Sequence, residues 1–115
     1  MARLAGLYAA LNARDVDAVL AQSASDVDWP DAMHGGRVVG QDAVREHWLG
    51  QWAVTELVLH PRRERQLSDG RLEVLVEQTV RDSDGDLLSH AFVLHTHTFA
   101  GGVVARMDVG DPQAT

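Results

Sequence analysis

Asp31, His95 and His97 are the side chains of this sequence best suited to chemistry. Asp31 follows Trp29 and Pro30, so its carboxylate sits near a large indole and behind a rigid ring. A carboxylate partly withdrawn from water holds its proton more tightly. That tuning suits a base that removes a proton next to a carbonyl, a contribution of about 10²–10⁴-fold. The plainer alternative is a turn aspartate that accepts backbone hydrogen bonds within Asp31-Ala32-Met33. His95 and His97 are two positions apart, and on a strand they share one face with Ala91, Val93 and Phe99. A neutral imidazole there can donate to a developing oxyanion or pass a proton on. The plainer alternative is a hydrogen-bonded structural pair. His-x-His also suits metal ligation, with Asp31 or His34 as a third ligand. No further ligand motif accompanies it, and no metal is expected.

The elements around these residues follow from periodicity. Residues 2–13 carry apolar groups at i, i+3, i+4 and i+7, which predicts a helix buried on one face through Leu4, Leu7, Tyr8 and Leu11. Asp15 is the expected N-cap of a second helix with Val16, Val19 and Leu20 inside. Alternation at Asp26-Val27-Asp28-Trp29 predicts a short strand that Pro30 ends. Gly35-Gly36 reverses the chain, Arg37-Val38-Val39 pairs back, and a third helix spans about 41–52. Its stripe of Val44, Trp48 and Trp52 falls at i, i+4 and i+8. Strands are then expected over 54–66, 71–82, 87–99 and 103–109, separated by turn-forming Ser68-Asp69-Gly70, Asp82-Ser83-Asp84-Gly85 and Gly101-Gly102. Short connections make them antiparallel neighbours in a meander, and their length demands a curved sheet. The sum is a single α+β domain over residues 1–115, with the sheet wrapped round three N-terminal helices as a cone open at one end.

Composition narrows the partners. The chain of 115 residues is 45% hydrophobic and 23% charged, as a packed domain requires. A net charge of −7 and the absence of Lys argue against nucleic acid. Arg62, Arg63 and Arg65 form the only dense basic group, and Glu64 among them points to a solvated strand edge. With no Cys there is no disulfide framework or thiolate chemistry, which fits a reducing compartment. No apolar run approaches the ~20 residues of a membrane span. The N-terminal apolar stretch has helical rather than signal-peptide spacing, so a cytoplasmic location is expected.

Four segments carry a resemblance. Tyr8-Ala-Ala-Leu-Asn-Ala-Arg-Asp-Val-Asp-Ala-Val-Leu, the stretch from Asp26 to Asp31, and Gly40-Gln-Asp-Ala-Val-Arg-Glu-His-Trp resemble the bacterial ketosteroid isomerases. They resemble equally the SnoaL-like polyketide cyclases, within the nuclear-transport-factor-2-like superfamily. The stretch His95-Thr-His-Thr-Phe-Ala-Gly-Gly-Val-Val-Ala-Arg-Met-Asp resembles the closing hairpin of that superfamily. The resemblance spans nearly the whole chain and implies a cystatin-like α+β barrel. It places Asp31 at the isomerases' general base and His95 at the protonated aspartate of their oxyanion hole, and turns the His95 face toward the cavity. Their oxyanion tyrosine falls on Leu7 in an ungapped match, with Tyr8 one position on.

The expected function is acid–base proton transfer on a compact, apolar carbonyl compound, leading to isomerisation, cyclisation or dehydration. Asp31 is the expected base and His95 its acid or electrophilic partner. Tyr8, Trp29, Trp48, Trp52 and His97 are expected to line a hydrophobic pocket, and such chemistry needs no cofactor. The alternative is a non-catalytic binding or dimerisation module. The strand face opposite His95, with Phe92 and Leu94 beside His90 and Thr96, is apolar enough to bury in a homodimer.

Overall fold

The structure, a computed structural model, describes residues 3–31 and 34–112. Helix α1 spans Ala5–Ala13 and buries Leu7, Tyr8, Ala10 and Leu11. It stops at Arg14, whose left-handed φ of 57° lets its N–H bond back to Leu11 O. The expected start at residue 2 lies outside the described residues. Asn12 fastens this helix to the sheet by donating to Leu59 O and accepting from Leu59 N–H, both at 2.8 Å. Helix α2, Val16–Ala21, is capped as expected: Asp15 accepts from Ala18 N–H at 3.2 Å.

Strand β1 covers Ser23–Pro30, three residues longer at its start than its alternation suggests. The extra length comes from a partner remote in sequence, since Ser23 pairs with Val104. Pro30 ends the strand opposite Arg37 of β2, Arg37–Val39. Gly35 and Gly36 make the reversal with φ of 78° and 77°, values that side chains with a Cβ rarely adopt. Helix α3, Gln41–Val54, buries the anticipated stripe of Val44, Trp48 and Trp52. Strands β3 (Thr55–Gln66), β4 (Leu72–Asp82), β5 (Leu87–Ala100) and β6 (Val103–Gly110) follow as a meander.

The sheet is one curved, unclosed layer in the order β2-β1-β6-β5-β4-β3. The expectation of a wholly antiparallel sheet needs one correction, because β1 runs parallel to β6. That pairing joins the short strand pair to the meander, and no turn signal announces it because the partners are some 80 residues apart. The result is the α+β, cystatin-like architecture. Edge strand β3 carries Arg62, Arg63 and Arg65 in solvent, with Arg62 bonded to Glu77 and Arg65 to Glu73. Charge on an edge strand discourages pairing with a second sheet.

The core lies between the helices and the concave face. Val74 and Val76 of β4 are fully buried opposite His95 and Val93 of β5. The face of β5 that carries His95 and His97 points inward, with His95 4% and His97 0% exposed. Among the described residues no helix is long and apolar enough to cross a membrane.

Candidate functional site

Two inward rings of β5 meet one hydroxyl from α1. Tyr8 Oη lies 2.9 Å from His95 Nδ1 and 3.0 Å from His97 Nε2. The Tyr8 and His95 rings stack at 5.9 Å, while His97 meets Tyr8 edge-on. Leu7 and Tyr8 are both buried, so the helix points the phenol inward even though the ungapped match puts Leu7 at the tyrosine position.

Burial controls the charges of this trio. Desolvation, with a smaller contribution from His97, pushes the His95 pKa down to about 3. Desolvation alone takes His97 down to about 4 and raises the Tyr8 phenol. All three are neutral at pH 7. A single hydroxyl between two neutral imidazoles must donate to one and accept from the other. His97 Nδ1 is buried without a partner. If it carried the proton, a buried N–H would be orphaned; as a bare lone pair it costs less. Hence His97 Nε2–H donates to Tyr8, Tyr8 O–H donates to His95 Nδ1, and His95 keeps its proton on Nε2.

His95 borders a cavity of about 200 Å³ whose wall includes Trp29, His47, Trp48, Gln78 and Met107. Trp29 and Trp48 meet edge-on at 6.0 Å, and Trp52 stacks behind Trp48 at 5.3 Å. Trp29, Trp48 and His95 therefore reach the cavity. Tyr8, His97 and Trp52 do not line it: the first two stand behind His95, and Trp52 supports Trp48 from the core.

Asp31 lies elsewhere. Its carboxylate accepts from His34 N–H at 3.0 Å and meets His34 Nδ1 at 3.2 Å, with His47 Nδ1 at 3.8 Å. It borders a neighbouring depression with His34, Glu46, His47 and Gln51, and is not on the wall shared by His95. The expected rise in its pKa is corrected: the His34 N–H bond outweighs desolvation and holds the carboxyl below its ordinary value. The turn reading describes its contact with His34, although Ala32 and Met33 lie outside the described residues.

His47 and Gln51 form the partition between cavity and depression, bordering both. The residue pattern marks neither for chemistry, since His47 reads as a helix-surface or pocket-mouth group. The available signal is their i, i+4 spacing, one row beside the Val44-Trp48-Trp52 stripe. His95 and His97 are not joined by Asp31 or His34, and among the described residues no group of three or more His, Cys, Asp or Glu could hold a metal ion. Asp108, at the end of the last strand, lies in an outer ion-pair network with Arg37 and Arg106.

A family model described as a SnoaL-like domain matches residues 4–107. An NTF2-like protein of unknown function from Burkholderia pseudomallei is 26% identical, with a TM-score of 0.82 over 97% of this chain and 89% of that one. A candidate polyketide cyclase from Sinorhizobium meliloti is 21% identical, with a TM-score of 0.79 over 96% and 94%. A Mycobacterium tuberculosis protein in complex with estradiol-17β-hemisuccinate is 18% identical, with a TM-score of 0.79 over 91% and 87%. No curated protein sequence matches the chain. The match over residues 4–107, on a fold shared with these structures, shows that the chain belongs to the SnoaL-like domain family of the nuclear-transport-factor-2-like superfamily.

Proposed function

We propose that this chain binds a compact, largely apolar carbonyl compound and transfers a proton on it. The observation that carries this reading is the position of His95 on the wall of a Trp-lined cavity, with Tyr8 held behind it. A ligand ring packs against Trp29 and Trp48, and its carbonyl oxygen accepts from His95 Nε2–H. In a site of low polarity such a bond strengthens as negative charge develops on the oxygen. Asp31 supplies the basic charge on the far side of the His47 partition. The steroid complex of the mycobacterial structure supports an apolar, polycyclic class of ligand.

Tryptophan fluorescence tests the binding. 2-Tetralone should quench it saturably and bind about tenfold tighter than tetralin, the hydrocarbon without the oxygen, as one hydrogen bond allows. His95→Gln should reduce that preference, and Val80→Phe, at a β4 residue on the cavity wall, should narrow the cavity and weaken both ligands. Equal affinity for ketone and hydrocarbon in the wild type would remove His95 from the recognition of a carbonyl.

The second reading, a dimerising module, rests on the outer sheet face. Phe92 is 46% exposed there. Burial of such groups against a second copy would be favourable at about 25 cal/mol per Å². This reading is compatible with the first, since the sheet residues that line the cavity lie on the His95 face, opposite Phe92.

A further inference from the structure

We infer that the base serving the cavity is His47, and that Asp31 acts through it as a positioning residue. The inference rests on the carbonyl-binding reading above and changes its chemistry: the carboxylate never touches the ligand.

The partition carries the argument. His47 is the titratable side chain that borders both the cavity of His95 and the depression of Asp31. Its side chain is 5% exposed, and its ring is held edge-on against Trp48 at 5.2 Å. Nδ1 faces the carboxylate at 3.8 Å from Asp31 Oδ1. A nearby anion favours the proton on that nitrogen, so the lone pair belongs to Nε2. Among the described residues neither ring nitrogen of His47 makes a hydrogen bond, which leaves Nε2 open to a ligand. The 3.8 Å gap is longer than a hydrogen bond, and such catalytic contacts commonly tighten once substrate is bound.

The surrounding charges agree. Burial lowers the His47 pKa below its ordinary value, Asp31 opposes that effect, and His34 adds to it. His47 is therefore an uncharged base at neutral pH, while Asp31 is held ionised by His34. The titratable groups acting on this ring are Asp31 and His34 from the loop after β1, while His95 of β5 shares the cavity wall and Glu46 borders the depression from α3 itself.

The step balances without a co-reactant. The carbon–hydrogen bond next to the ligand carbonyl breaks, and its proton forms an N–H bond at His47 Nε2. The electron pair moves into the new carbon–carbon double bond, and the carbonyl π pair moves onto oxygen, where His95 Nε2–H stabilises it. Asp31 stabilises the imidazolium, which then returns the proton to carbon. Nothing is oxidised or reduced.

Two measurements test the pair. Histidine-¹⁵N NMR should show His47 in the Nδ1–H form, with a titration midpoint that falls in Asp31→Asn. In D₂O the wild type should speed exchange of the protons beside the 2-tetralone carbonyl. His47→Gln should lose about 10²-fold of that acceleration, and Asp31→Asn should lose less, while fluorescence still reports ketone binding in both. An Nε2–H form, a midpoint unmoved in Asp31→Asn, or full exchange in a ligand-binding His47→Gln would overturn the inference. Failure of the wild type to bind 2-tetralone would count against the carbonyl reading instead, and the NMR result would still decide whether His47 and Asp31 are paired.

Discussion

Tyr8 and His95 share a hydrogen bond of 2.9 Å although 87 positions separate them. The same phenol holds His97 at 3.0 Å, so one hydroxyl fixes the tautomers of two buried imidazoles. Helix α1 thereby acts on the cavity without lining it.

Tyr8→Phe is expected to destabilise the fold by about 1–3 kcal/mol, because His95 Nδ1 and His97 Nε2 both lose their partner in a dry setting. Urea unfolding measures it. A loss of less than a few tenths would mean that the rings relax to other partners.

Acid should weaken the protein in a defined window. His95 and His97 have folded pKa values of about 3 and 4, below the unfolded value of 6.5. Between these limits the unfolded chain binds more protons, so stability rises with pH and levels off above about 6.5. From pH 6.5 down to 4.5 each histidine removes up to about 1.4 kcal/mol per pH unit. Urea midpoints across that range should slope steeply in the wild type and more gently in His97→Gln. Parallel slopes would show that His97 is not among the groups responsible.

Asn12→Ala should loosen α1 from β3. Both bonds to Leu59 vanish, leaving a strand N–H and C=O with only water to reach them. The expected cost is about 1–3 kcal/mol, and amide exchange at Leu59 should accelerate before the rest of the sheet. Uniform exchange across β3 and β4 would indicate that the helix is held by packing alone.

The outer face of β5 gives a prediction about assembly. If it covers a second copy, light scattering should give twice the chain mass for the wild type, and Phe92→Glu should return it to the monomer value. A monomer at all concentrations rules that reading out.

Helices, turns and the sharing of one β5 face by His95 and His97 were legible from local pattern, while the inward direction of that face was implied by the family resemblance. The stripe of Val44, Trp48 and Trp52, the Asp15 cap and the glycine reversals each depend on neighbours within a few residues. The start of β1 was not, since Ser23 is a strand residue only because Val104 lies beside it. Asp31 illustrates the harder case. Its place after Trp29 and Pro30 suggests a raised pKa, yet a backbone N–H three residues on sets the opposite direction. His47 carries no sequence signal stronger than its row on the helix, and its significance comes from having Asp31 on one side and the cavity on the other.

By itself, then, the sequence determined the elements, their buried faces and the positions of the turns, because periodicity and backbone conformation are set by adjacent residues. Tertiary structure alone decided the parallel contact of β1 with β6, the sharing of Tyr8 by two histidines and the separation of Asp31 from the His95 cavity. Those outcomes depend on how α1 and α3 lie across a curved sheet. A few ångströms in that placement determine which polar atoms meet, and no local pattern encodes such a distance.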